Sequence, residues 1–79
     1  MHLEEIAVFR QSDFAFVFNR LNRLGFDIAS ESSGGFSSVW VDSQSWTAVL
    51  THIQDDPELA CKLVASKDST GRWVWNGRE

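Results

Sequence analysis

DFAFVFNRLNRLGF, residues 13–26, admits two readings. Phe14, Phe16 and Phe18 alternate as they would along one face of a strand. Phe14, Val17, Phe18, Leu21 and Leu24 instead follow the i, i+3, i+4, i+7, i+10 series of one helical stripe. The flanking residues decide between them. Ser12 or Asp13 can cap a helix start by accepting from a free backbone N–H. Gly25 directly follows the last residue of the stripe, where a left-handed glycine ends a helix, and Phe26 then stands where it can fold back onto Leu21. A strand explains none of these features, so the sequence predicts a helix. Phe14 and Phe18 then point inward. Phe16 is left on the opposite side, among Asn19, Arg20 and Arg23 at i+3, i+4 and i+7.

Upstream, IAVF (6–9) is short, apolar and β-branched or aromatic, which predicts a strand, although Leu3, Ile6 and Ala7 would also suit a helical turn. Downstream, FDIASES (26–32) and FSSVWVD (36–42) alternate on either side of Ser33-Gly34-Gly35, and paired glycines permit the positive φ angles of a tight hairpin. Ser43 or Ser45 caps a second helix with Trp46, Val49, Leu50 and Ile53 on its stripe. Pro57 disfavours a helical Asp56 and ends that helix, although Asp56-Pro57-Glu58 equally suits the start of another helical turn. ELACKLVAS (58–66) and RWVWN (72–76) flank the turn-rich KDSTG (67–71), a second hairpin. The predicted order is β-α-β-β-α-β-β in a single α+β domain over residues 1–79. That is an antiparallel sheet with two helices on one face, in the ferredoxin-like β-α-β-β-α-β order with a short C-terminal strand added.

Composition narrows the function classes. A chain of 79 residues with 43% hydrophobic and 13% aromatic content, four tryptophans among them, is long enough for one core. Cys61 has no second cysteine with which to form an internal disulfide, so packing must supply the stability. Eleven acidic and seven basic residues give a net charge of −4, which argues against the basic footprint of a typical nucleic-acid binder. HLEE after Met1 is unlike a signal peptide. No apolar run approaches the roughly 18 residues of a membrane span. With an unpaired cysteine, these features place the expected location in the cytoplasm.

No catalytic motif stands out, and no cofactor is implied. His52, Asp55 and Asp56 fall at i, i+3 and i+4, a spacing that can converge on a metal. No second histidine lies nearby in sequence, and a solvated helix terminus is the expectation. Cys61, in an apolar stretch, reads as an inert buried thiol. Gly34 and Gly35 lack the pattern of a phosphate loop. The carboxylates are spread too evenly to single out an acid–base pair.

What remains is recognition. Phe16 ringed by Asn19, Arg20 and Arg23 has the composition of an interface hot spot. Its competing reading is packing beneath a loop. Trp73 and Trp75 are two apart and share a strand face, and Trp40 faces away from Val39 and Val41. Aromatics on an uncovered sheet face can stack on bases, although a C-terminal W-x-W is more often core or a dimer contact. The sequence therefore predicts a non-catalytic protein-interaction protein with a protein partner, self-association into a homodimer included. Nucleic acid and membrane are not the expected partners. Small acidic chains of this kind are like phage-encoded inhibitors of host defence, anti-CRISPR proteins among them, an analogy of class rather than of residues. In that reading Asp55, Asp56 and Glu58 mimic phosphates toward the basic groove of a nucleic-acid-handling host protein. The alternatives are single-stranded nucleic-acid binding through Trp40, Trp73 and Trp75, and a small-ligand regulatory domain.

Overall fold

The stretch at 13–26 is helical in the computed structural model, which describes residues 2–75. Helix α1 spans Gln11–Arg23 and begins earlier than the Ser12 or Asp13 cap predicts. Strand β1 (Leu3–Arg10) runs straight into it, with Arg10 still extended. The Gln11 N–H donates to the Gly35 carbonyl at 2.9 Å, so a hairpin turn distant in sequence satisfies one of the free N–H groups of the first turn. The other end is as predicted. Gly25 adopts φ 90°, Phe26 N–H donates to the Leu21 carbonyl, and Gly25 N–H donates to that of Asn22. Those two bonds are the Schellman pair, and Phe26 packs against the core as its apolar member.

Strands β2 (Ile28–Ser33) and β3 (Phe36–Asp42) form the first hairpin, closed by Gly34 and Gly35 at φ 61° and 86°. Two positive φ angles in a two-residue loop match the strand twist, which is why glycine is needed at both positions. Helix α2 (Trp46–Asp55) starts from Ser45, whose side chain makes no capping bond. Asp56 then takes an extended conformation, and its Oδ1 accepts from Glu58 N–H at 3.0 Å. The one-turn helix α3 (Pro57–Ala60) therefore uses both devices anticipated at this corner, an aspartate cap and proline at the first position. Strand β4 is shorter than the apolar run suggests, Leu63–Lys67, because residues 57–60 are helical. Strand β5 covers Trp73–Trp75. Asn76, at the predicted end of that strand, lies outside the described residues.

All four strand pairings are antiparallel, in the order β2-β3-β1-β4-β5. β3 separates β1 from β2, and β1 separates β3 from β4, so the two helical crossovers interleave. The described residues form an α+β domain with a five-stranded sheet and three helices. Its core joins Val17 and Leu21 of α1, Val49 and Ile53 of α2 and Leu59 of α3 to Phe9, Val39 and Val41 of the sheet. Burial of this set from both helices against one row of β3 puts the helices on a single face. One bulge in β1, at Ile6 against β3, and one in β4, at Val64 against β1, turn successive residues to the same side. Ile6 and Ala7 are accordingly both buried, as are Leu63 and Val64.

Candidate interaction surfaces

Alternation along the paired strands separates the two faces of the sheet. Ser37, Val39 and Val41 are buried beneath the helices, so Phe36, Ser38, Trp40 and Asp42 project from the other face. Register carries the assignment across the sheet. Trp40 pairs with Ala29 and Glu5, Phe36 with Arg10, and Leu3 with Asp42. On the other side Val8 pairs with Ala65, and Ala65 with Trp75, while Lys67 pairs with Trp73. Trp40, Trp73 and Trp75 therefore share the helix-free face with Leu3 and Phe36. Four of these are strongly exposed: Trp75 63%, Leu3 48%, Trp73 45% and Phe36 43%. Trp40 is half-buried, and its Nε1 has no hydrogen-bond partner among the described residues. Lys67 lies over the Trp73 ring at 5.7 Å, with its Nζ 3.9 Å from a Glu4 carboxylate oxygen. Glu5, Glu31 and Asp42 set against Arg10 and Lys67 leave the face mildly acidic.

Phe16 sits on a second surface and is 40% exposed. Among the described residues no apolar loop covers it. Two cations do: the Arg20 guanidinium stands 4.9 Å from the ring centroid and the Lys62 ammonium 5.4 Å, both within the range of cation–π attraction. Arg20 reaches further. Its Nη1 donates to Asp56 Oδ2 and its Nη2 to Glu58 Oε1, each at 2.6 Å, tying α1 to the α2–α3 corner. The Glu58 bond, with Asp56 in support, raises the Arg20 pKa above its ordinary value, so the guanidinium stays charged. Two groups that look unrelated in sequence, the Phe16 helix face and the acidic corner, thus form one cluster. Asp55, Asn19 and Arg23 are exposed, Asn19 on the side of α1 that carries Phe14 and Phe18. Asp56 is the most enclosed of the acids, with 16% of its side chain accessible.

Cys61 departs from expectation. It caps α3 and is exposed, its thiol donating to the Glu58 carbonyl at 3.5 Å, because the residues before it form a helical turn rather than a strand. No cluster of three metal-ligating side chains occurs among the described residues, and His52 instead packs edge-on with Phe26, the ring centroids 5.9 Å apart. No helix in the described residues is long and apolar enough to cross a membrane. The β4–β5 turn is held by Asp68, whose Oδ1 accepts from Thr70 Oγ1, Thr70 N–H and Arg72 N–H. These bonds, the Thr70 hydroxyl first among them, hold the Asp68 carboxyl below its ordinary pKa.

Sequence reasoning groups Trp73 with Trp75 and turns Trp40 away from Val39, as the sheet does. It misses Leu3 and Phe36 on the same face, and Lys62 above Phe16. Leu3 precedes the bulge at Ile6, which breaks the alternation needed to place it. Lys62 reaches Phe16 only through tertiary packing, and no local signal announces it.

Comparison with known proteins adds no identity: no protein-family model matches the chain, and no curated protein or solved structure matches it either.

Proposed function

We propose that this chain is a non-catalytic binding protein that docks a protein partner through the helix-free face of its sheet. The observation that carries the reading is the convergence of Trp40, Trp73, Trp75, Leu3 and Phe36 on one face. Large exposed apolar patches on small proteins mark interaction sites, and tryptophan is enriched among interface hot spots. Glu5, Glu31 and Asp42 around these residues favour a partner whose contact surface is apolar at its centre and basic at its rim.

The Phe16 surface is the lesser contributor. Arg20 already spends its two donor arms on Asp56 and Glu58, leaving Asn19 and Arg23 as its freer polar groups. The finer reading is an inhibitor of a nucleic-acid-handling host protein, of the phage-encoded, anti-CRISPR-like kind, working in the cytoplasm. A net charge of −4 supports it. Asp55 would then be the most available phosphate mimic, because Arg20 neutralises its two neighbours.

Capture of the partner from the native host, repeated with Trp73→Ala and Trp75→Ala, tests the reading. Retention by wild type and loss by both folded variants is the expected result. Equal retention by all three overturns it. A second reading, stacking on single-stranded nucleic acid, is favoured by three tryptophans sharing one face. Quenching of tryptophan fluorescence by oligonucleotides at low salt, reversed at moderate salt, would establish it; unchanged fluorescence at low salt would exclude it.

A further inference from the structure

The opposite edge of the sheet is built differently. β2 is an outer strand of six residues, IASESS, in continuous register with β3 from Ile28↔Val41 to Ser33↔Phe36. A two-residue loop makes Ser33 and Phe36 the hydrogen-bonded closing pair, so Glu31 and Ala29 also bond inward to β3. The Gln11 N–H to Gly35 carbonyl bond fixes the same alternation on the far side of β3. Ile28, Ser30 and Ser32 therefore direct their N–H and C=O groups outward, away from the sheet. Edge strands are ordinarily protected by proline, lysine, a bulge or a covering segment. β2 has no proline, lysine or bulge, and no described residue pairs with its outer side.

Beside this edge lies a groove of about 400 Å³ between β2 and α1, lined by Phe14, Phe18, Asn19, Ser30 and Ser32 among others. Phe14 and Phe18 form its apolar floor, with ring centroids 6.0 Å apart. Ser30 and Ser32 are exposed at its rim, and Ser32 shares a 2.7 Å hydrogen bond with buried Ser37. The edge and the groove fit one kind of occupant. A strand laid along β2 takes up the free backbone groups, and its alternate side chains drop onto the phenylalanines. Its remaining side chains emerge on the helix-free face beside Ala29 and Glu31. Glu31 is exposed and has no ion-pair partner among the described residues, so it favours a cation there.

We propose that β2 and α1 form a strand-addition site for an extended segment of a partner protein, with apolar residues alternating toward Phe14 and Phe18 and a lysine or arginine opposite Glu31. A second copy of β2 is the poorer occupant. It would set Ser30 and Ser32 over an apolar floor and bring two Glu31 side chains to one edge. The site shares Glu31 with the tryptophan face but is read out at the β2 edge and at Phe14 and Phe18, so either proposal can fail without the other.

The test is an amide titration with a synthetic eight-residue peptide that alternates valine with lysine and threonine. Its control is the same peptide N-methylated at the strand-pairing amides. The unmodified peptide is expected to shift the Ile28, Ser30 and Ser32 amides and the Phe14 and Phe18 ring protons. The methylated peptide should not. Ser30→Pro removes one outward donor without touching the β3 ladder, as proline is tolerated on edge strands, and should weaken binding at least tenfold while melting like wild type. If that variant does not fold, the methylated control decides the matter alone. No shifts at millimolar peptide, shifts confined to other elements, or equal binding of both peptides overturns the proposal. So does a dimer in sedimentation whose β2 amides are protected, which would assign the edge to a second copy.

Discussion

Trp75→Ala separates the contribution of this residue to the fold from its contribution to binding. A tryptophan side chain presents up to about 250 Å². With Trp75 63% exposed, roughly 160 Å² is open to a partner and roughly 90 Å² is already covered. At about 25 cal/mol per Å², the covered part gives the fold about 2 kcal/mol, and the open part offers a complex up to about 4 kcal/mol. A domain of this length has a total stability of about 4–12 kcal/mol, so the variant stays folded. Urea unfolding should show a loss of no more than about 2 kcal/mol. Affinity for the captured partner should fall by about 30-fold or more, corresponding to half the open contribution. A stability loss well above 3 kcal/mol would mean that Trp75 is packed rather than presented. Unchanged affinity in a folded variant would refute the reasoning from the other side.

The remaining expectations concern the scaffold. Ile53→Ala empties a fully buried position where α2 meets the sheet and should cost about 2–5 kcal/mol in urea unfolding; a loss below 1 kcal/mol would contradict the placement of both helices on one face. Gly25→Ala meets no atom within 4 Å, so its cost is backbone strain at φ 90°, about 1–2 kcal/mol, read as a lower urea midpoint. Asp68 is held below its ordinary 3.8, so its contribution is complete above that value and is lost as pH falls through the depressed one. The Thr70 amide should therefore keep its protection at pH 5 and lose it only in stronger acid, and Asp68→Ala should lose it at both; early loss in wild type would place the carboxyl elsewhere.

Much of this fold is legible in particular residues. The α1 assignment follows from the stripe and from Gly25, whose signals are local and reinforce one another. The hairpin follows from Gly34-Gly35, and α3 from Asp56-Pro57. Where the sequence reading fails, the deciding interaction is distant in the chain. Gln11 starts α1 without a side-chain cap, and its own N–H is met by the Gly35 carbonyl coming back from the hairpin. Cys61 is exposed because a four-residue helix occupies what reads as the start of a strand. The tryptophan face is partly legible, since parity alone groups Trp73 with Trp75, but joining them to Trp40 requires the strand order. Phe16 shows the limit most clearly. Its polar neighbours are visible on a helical wheel, yet Lys62 and the Arg20 links to Asp56 and Glu58 exist only once α1 packs beside α3.

Hydroxyl-radical footprinting of the free protein and of its complex with the captured partner tests the central claim most directly. The helix-free face as docking surface predicts that Trp73, Trp75, Leu3 and Phe36 lose oxidation on binding while Phe16 keeps its own. Protection of Phe16 with the sheet tryptophans unchanged would contradict it and move the interface to the outer face of α1.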